Sequence, residues 1–260
     1  MPLRDTPAIG TARNGSEPAQ DAARRVRKTS EVVAMRIVKD IVDRGMVEGD
    51  RLPLEADMVR NYEVSRASLR EALRILEAQG LIVLRPGRGG GPTVGASDPA
   101  HLARTATLYF HLDGTSYEEM FIAHLELECE VTAEAATNPD RRLVERTLRP
   151  FTDEAGQADG APQRAHILAF HPSVASVCPN RVLVLLTNAL AHIVRTHVLA
   201  SMEPVHMHAA VAAEHGQLAR AIIAGDEGRA RTLTERHFRA QLDYYREHWP
   251  ARLARPIEWR

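Results

Sequence analysis

The chain of 260 residues has only two cysteines and a formal net charge of −1. Cys129 and Cys178 stand far apart with no Cys-x-x-Cys pairing. Such usage argues against a disulfide framework and fits a reducing cytoplasm. The near-zero net charge gives no bulk signal for a polyanion. No apolar run approaches the length of a membrane span, and residues 1–30 hold no apolar core of a signal peptide. Beyond residue 100, β-strand patterning is scarce. What remains is ordinary for a globular protein, 44% hydrophobic and 26% charged, and long enough for two domains.

The stretch that organises the rest is Val64-Ser65-Arg66-Ala67-Ser68-Leu69-Arg70-Glu71-Ala72-Leu73-Arg74. Val64, Leu69, Leu73 and Leu76 recur at helical spacing, and Ser65 is a good N-cap. Arg66, Ser68 and Arg70 fall in the first two turns, read as clear of the apolar stripe. Arginines and hydroxyls at a helix N-terminus suit phosphates and guanine edges in a major groove. Taken alone, the stretch reads equally well as an amphipathic helix with solvated arginines.

The flanks decide between these readings. A helix is expected from about Ser30 to Asp43, then a turn, then a second helix opened by Pro53. The short turn Glu63-Val64 gives helix-turn-helix spacing. After Gln79-Gly80, the run Leu81–Leu84, a Gly-rich basic turn over 85–92, and Thr93-Val94 read as a β-hairpin, a wing. Between Arg60 and Arg88 six arginines face three glutamates, a local positive excess.

Here the sequence resembles the winged-helix domain of GntR-family bacterial transcription regulators. The resemblance rests on Gly49-Asp50-Arg51-Leu52-Pro53-x-Glu55 and on Val64-Ser65-Arg66-x-x-Leu69-Arg70-Glu71-Ala72-Leu73-x-x-Leu76-Glu77-x-x-Gly80-Leu81-Ile82. It implies DNA contacts by Arg51, Ser65, Arg66, Ser68, Arg70, Arg85 and Arg88. Ala56 stands where the family usually has an arginine, which removes one contact, and Ala67 replaces a residue that is often polar.

The expected organisation is a basic disordered tail over 1–29, the winged helix-turn-helix over 30–95 and a linker over 96–101. An all-α bundle of six to seven helices follows over 102–248, then a C-terminal tail over 249–260. Arg24-Arg25-Val26-Arg27-Lys28 in the first tail reads as solvated, with an arm touching DNA as the alternative. In the bundle, helices are expected over Leu102–Leu112, Ser116–Ala136, Arg141 to about Gly156, Gln163–Val177, Arg181–Leu199, Val205–Ala224 and from Asp226 to about His248, with a loop over Gly156–Gly160. The architecture is therefore mainly α, three helices and a wing followed by a helical bundle.

His171, His215 and His237 fall in the middle of three different expected helices. Imidazoles from separate helices can converge on a metal, though helical histidines are more often surface or satisfied core residues. The bundle resembles the FCD effector domain of the FadR subgroup. The carrying residues are Phe170-His171 with Asn180; Glu214-His215-x-x-Leu218-x-x-Ala221-Ile222-x-x-Gly225-Asp226; and His237. The resemblance implies a divalent metal on His171, His215 and His237, and effector contacts at His124 and Asn180. Two departures stand out. Ile167 replaces the usual aspartate ligand, which favours zinc or nickel over an oxygen-loving ion. His124 replaces the arginine that normally reaches the effector carboxylate, exchanging a fixed bidentate cation for a titrating one.

The expectation is a cytoplasmic transcription repressor, a homodimer on palindromic double-stranded DNA, responding to a small organic acid. A regulator whose effector is the metal itself is the alternative. An enzyme is not expected: no general base accompanies the histidines.

Overall fold

The computed structural model describes residues 17–85, 87, 90–96, 98–152, 161–199 and 208–259. The chain divides between Asp98 and Pro99 into two compact units. Among the described residues no helix is long and apolar enough to cross a membrane.

In the first unit, α1 (Glu17–Asp43) is followed by α2 (Glu55–Tyr62), α3 (Arg66–Ala78), β1 (Ile82–Arg85) and β2 (Gly91–Val94). Two boundaries differ from expectation. The disordered tail expected over 1–29 is corrected from Glu17 onward, where α1 already runs. Residues 19–28 lack apolar periodicity but are rich in Ala, Gln, Arg and Lys, whose intrinsic propensity is helical, and Pro18 suits a first turn. The remainder of that tail, 1–16, lies outside the described residues. The second helix begins at Glu55 rather than Pro53. The preceding strand-like segment explains the delay: Arg51 bridges Thr93, Leu52 N–H donates to the Pro92 carbonyl at 3.0 Å, and Val94 N–H donates to the Asp50 carbonyl at 2.9 Å. Residues 50–52 thus extend the wing as an edge segment before helix can start.

The helices close on a core of Val33 and Ile37 from α1, Met58 and Tyr62 from α2, Leu69, Leu73 and Leu76 from α3, and Ile82. Leu69 is fully buried, and trimming such a leucine to alanine costs about 2–5 kcal/mol. Glu63 caps α2 in the left-handed region at φ 57°, which turns the chain sharply into α3. The hairpin pairs Ile82 with Val94 and Arg85 with Gly91. At Gly90 a Cβ would lie 2.1 Å from the Arg85 carbonyl oxygen, so only glycine fits beside that strand end.

The second unit contains α4 (Pro99–Asp113), α5 (Tyr117–Ala136), α6 (Arg141–Leu148), α7 (Ala161–Ser176), α8 (Arg181–Ile193), α9 (His208–Ala224), α10 (Glu227–His248) and the short α11 (Pro250–Leu253). A 3₁₀ turn covers Arg149–Phe151, and a π-helical segment continues α8 over Val194–Leu199. The helix expected to reach Gly156 stops at Leu148, where Pro150 tightens the chain. The loop expected over 156–160 lies outside the described residues. The linker expected over 96–101 is shortened because Pro99 already opens α4, a position where its missing N–H is no loss. The C-terminal tail expected over 249–260 is also corrected. Leu253 and Ile257 are buried, Ile257 N–H donates to the Thr115 carbonyl at 2.8 Å, and Ser116 bridges Pro256.

Two large hydrophobic clusters hold this unit together, with a small third of Leu125, Cys129 and Phe238 between α5 and α10. One gathers Val131, Ala135, Phe170, Val174, Leu218, Ile222 and Ala230; the other gathers Tyr117, Met120, Phe121, Ile193, Leu242 and Tyr245. α5 and α10 run through both. Their middle turns, carrying His124 and Glu128 on one and His237 on the other, fall between the clusters. The polar site of the bundle is built there.

Candidate functional site

On the first unit, the α3 N-terminus is set by Ser65, whose Oγ accepts from Ser68 N–H at 3.1 Å. Arg66 is exposed and makes no ion pair among the described residues. Arg70 is exposed and donates from Nε to Glu55 Oε2 at 3.0 Å. The glutamate of the Leu-Pro-x-Glu stretch therefore orients an arginine of the next helix, a pairing the sequence did not reveal. Arg51 and Arg85 are exposed on the edge segment and β1; Arg88 lies outside the described residues.

Ser68 corrects the expectation that it lies clear of the apolar stripe. It is 5% exposed and its Oγ lies 3.0 Å from Ser65 Oγ. Ser68, Ala72 and Leu76 form an i, i+4, i+8 row alongside Leu69 and Leu73, so the hydroxyl is turned into the cap and core. Ala56 is exposed on α2.

In the second unit a cavity of about 150 Å³ opens among α5, α7, α9, α10 and the end of α8. His171 and His215 line it and His237 packs against them; each of the three offers a ring nitrogen, and these atoms lie within 4.8 Å of one another. The three ring centroids are 4.9–5.5 Å apart. His215 stacks on Phe170 at 4.2 Å. It is 2% exposed, and neither of its ring nitrogens has a hydrogen-bond partner. Burial, reinforced by the neighbouring His171 and His237, pushes its pKa well below the ordinary histidine range. A buried neutral imidazole without a partner is a poor way to fill a core and a good metal ligand.

His237 is also pushed down by burial, against the opposing hydrogen bond with Glu214. Its Nδ1 lies 2.6 Å from Glu214 Oε2 and its Nε2 lies 2.7 Å from the Gln241 amide nitrogen. One of these contacts has to give way before His237 can ligate an ion. Tetrahedral zinc with bonds of about 2.1 Å needs ligand atoms about 3.4 Å apart, so the rings must draw together by up to about 1.4 Å to share one ion. The donor set fits a divalent ion of the zinc type. Ile167 lines the cavity at the position of the missing carboxylate.

Glu128 was not singled out from the sequence. It is 2% exposed, with Oε2 3.1 Å from His171 Nδ1 and Oε1 3.2 Å from His124 Nε2. Burial by itself would raise its pKa; the charge of His171, the hydrogen bond with it and the neighbouring His124 imidazole outweigh that and hold it well below the carboxylate range. The i, i+4 spacing of His124 and Glu128 was the available signal. His124 does line the cavity, packed edge-on to Phe238, but Glu128 engages its Nε2. Asn180 is corrected: it is the N-cap of α8, its Oδ1 accepting from Val182 and Leu183 N–H at 3.2 and 3.3 Å, and it does not line the cavity.

A winged helix with exposed arginines on its recognition helix, in one chain with an α-helical unit enclosing a histidine-lined cavity, defines a transcription regulator with a sensory domain. Residues 29–90 match the bacterial regulatory proteins of the gntR family, and residues 119–240 match the FCD domain. The chain belongs to the GntR family of transcription regulators, in the FadR-like subgroup that the FCD domain marks; it is a regulator and not an enzyme. It is 25% identical over 243 residues to the uncharacterized HTH-type transcriptional regulator BphR of Paraburkholderia xenovorans (strain LB400), covering 85% of this chain and 87% of that one. It is 27% identical over 228 residues to the putative L-lactate dehydrogenase operon regulatory protein of Escherichia coli (strain K12), covering 81% and 84%. Streptococcus agalactiae GntR shares the fold, with a TM-score of 0.61 at 20% identity over 83% of this chain and 99% of that one.

Proposed function

We propose that this regulator is a ligand-responsive repressor that binds a palindromic operator as a homodimer and senses a small organic acid in its bundle cavity. Arg66 and Arg70 of α3 would contact DNA, helped by Arg51 and the wing arginine Arg85. One winged helix reads few base pairs, so a two-fold dimer supplies affinity and specificity. His171, His215 and His237 would hold one divalent metal, zinc or nickel, per chain. Such an ion supplies a Lewis-acidic point for an effector carboxylate oxygen. The observation that carries this reading is His215, buried and neutral with both nitrogens unpartnered between two other imidazoles. The Escherichia coli relative, named for an L-lactate dehydrogenase operon, makes a hydroxy acid the first effector to try.

An effector regulates only by binding one state of the dimer better than another. The test selects an operator from random DNA and then measures its binding with chelator, with zinc, and with zinc plus L-lactate or another small acid. Metal analysis of protein purified without chelator runs beside it. About one bound metal per chain, dimeric binding and release by an acid are expected. Metal-free protein defeats the metal reading, and operator affinity unmoved by every acid defeats the sensing reading. His215 also favours a second reading, in which the metal is the effector. That reading predicts a response to zinc alone and none to the acids.

A further inference from the structure

We infer that Arg195, on the π-helical turn after α8, is the anion anchor of the bundle cavity, and that the cavity takes a compact monocarboxylate with an apolar body. This rests on the reading of the cavity as an effector site and names the group that would select the effector.

The backbone places Arg195. α8 ends at Ile193, and the chain continues as a π turn over Val194–Leu199. A π turn adds a residue per turn and so re-aims the side chains it carries; such turns recur at functional sites. Here Ile193, Val194 and Val198 are buried in the second hydrophobic cluster, while Ala191, Val194 and Arg195 form one wall of the cavity. Arg195 is thus an exposed residue of the cavity wall, on a turn whose neighbours are fixed by packing.

Charge supports the same assignment. Arg195 is the one lysine or arginine among the described residues lining the cavity. It makes no ion pair with a carboxylate among the described residues; its Nη2 lies 3.2 Å from His192 Nδ1. The acidic group in the lining, Glu128, is engaged by His171 and His124. A guanidinium at a mainly apolar cavity, with no anion assigned to it, is matched by a carboxylate, which it can grip through two parallel hydrogen bonds.

The resemblance placed the carboxylate clamp on α5, at His124. That ring is 4% exposed and faces Glu128, an anion, which disfavours a second anion beside it. The rest of the lining is mainly apolar and aromatic, including Ile167, Val194, Val211, Phe238, Tyr244 and Tyr245, with His208 and Gln241 as polar members. Apart from the metal proposed on the histidines, one guanidinium in a small, mainly apolar chamber leaves no second arginine or lysine among the described residues for a second carboxylate, which suits a monocarboxylate better than a dicarboxylate or a sugar acid with many hydroxyls.

The test measures binding of benzoate, L-lactate and succinate to the full-length protein by calorimetry, with zinc and with chelator. The variants are Arg195→Gln and Arg195→Lys, with melting temperature and metal content as controls on the fold. The wild type is expected to bind benzoate or L-lactate more tightly than succinate. Arg195→Gln should weaken that binding by about tenfold or more, as loss of a charge-assisted pair does, with Arg195→Lys between the two. Equal binding by Arg195→Gln, or no binding of either monocarboxylate by the wild type, overturns the inference. If Arg195-dependent binding survives in chelator on metal-free protein, the inference stands and the metal reading falls. If the acid binds through Arg195 but leaves operator affinity unchanged, the inference stands and the sensing reading falls.

Discussion

A buried carboxylate keeps its charge only where neighbours compensate for the lost water, and Glu128 has two imidazoles doing so. Its contact at His171 Nδ1 leaves the other ring nitrogen for an ion and raises its basicity, the usual task of a carboxylate behind a metal-ligating histidine. Glu128→Gln is therefore expected to weaken zinc binding by about 10–100-fold in a chelator-competition titration. Unchanged affinity would show that Glu128 serves packing alone. His215 and His237 set the pH behaviour. Both are pushed below the ordinary histidine value of 6.5, so the unfolded chain takes up protons before the folded one does. Their stabilisation is complete above that pH and is lost as pH falls below it. The chelated protein is expected to melt at least about 2–4 °C lower at pH 5.5 than at pH 7.5. A flat profile would mean that these imidazoles are not neutral in the fold. At the DNA face, Arg66→Ala should cost about 1–3 kcal/mol of operator binding at fixed salt, with an unchanged melting temperature. Full affinity would remove the α3 N-terminus from the interface.

At the scale of elements, caps decide several assignments. Ser65 and Asp226 were readable as caps because each precedes a helix with strong periodic apolar positions, and both side chains accept from the third residue on. Asn180 was drawn toward the effector by resemblance, yet its side chain serves α8. Asn180→Ala should cost about 1 kcal/mol of folding stability by denaturant titration and leave metal and carboxylate binding untouched. A change in ligand affinity without a stability loss would return Asn180 to the site. The start of α1 at Glu17 and the π turn after α8 were not legible for opposite reasons. The first depends on propensity without apolar periodicity; the second is a change of register in a continuous apolar helix, where every residue type fits either geometry.

For the molecule as a whole, the missing arginine at position 56 bears on how tightly the protein holds DNA. Ala56 is exposed on α2. Ala56→Arg should add about one phosphate contact and steepen the log–log salt slope of operator binding by about 0.9. An unchanged slope would mean that this face of α2 stands away from the backbone. The sequence by itself determined the two-part plan, the winged helix, the helical second half and the three histidines. Those features rest on local periodicity, caps and motif spacing, which a chain carries in its own order. Only the tertiary structure decided that Ser68 turns inward, that Glu55 holds Arg70, that residues 249–259 pack against the bundle, and that Glu128 lies behind His171. Each of these joins groups far apart in sequence or separates neighbours by the direction of a side chain. Packing alone fixes such relations, because it brings α5, α7, α9 and α10 around one cavity and sets which side chains share it.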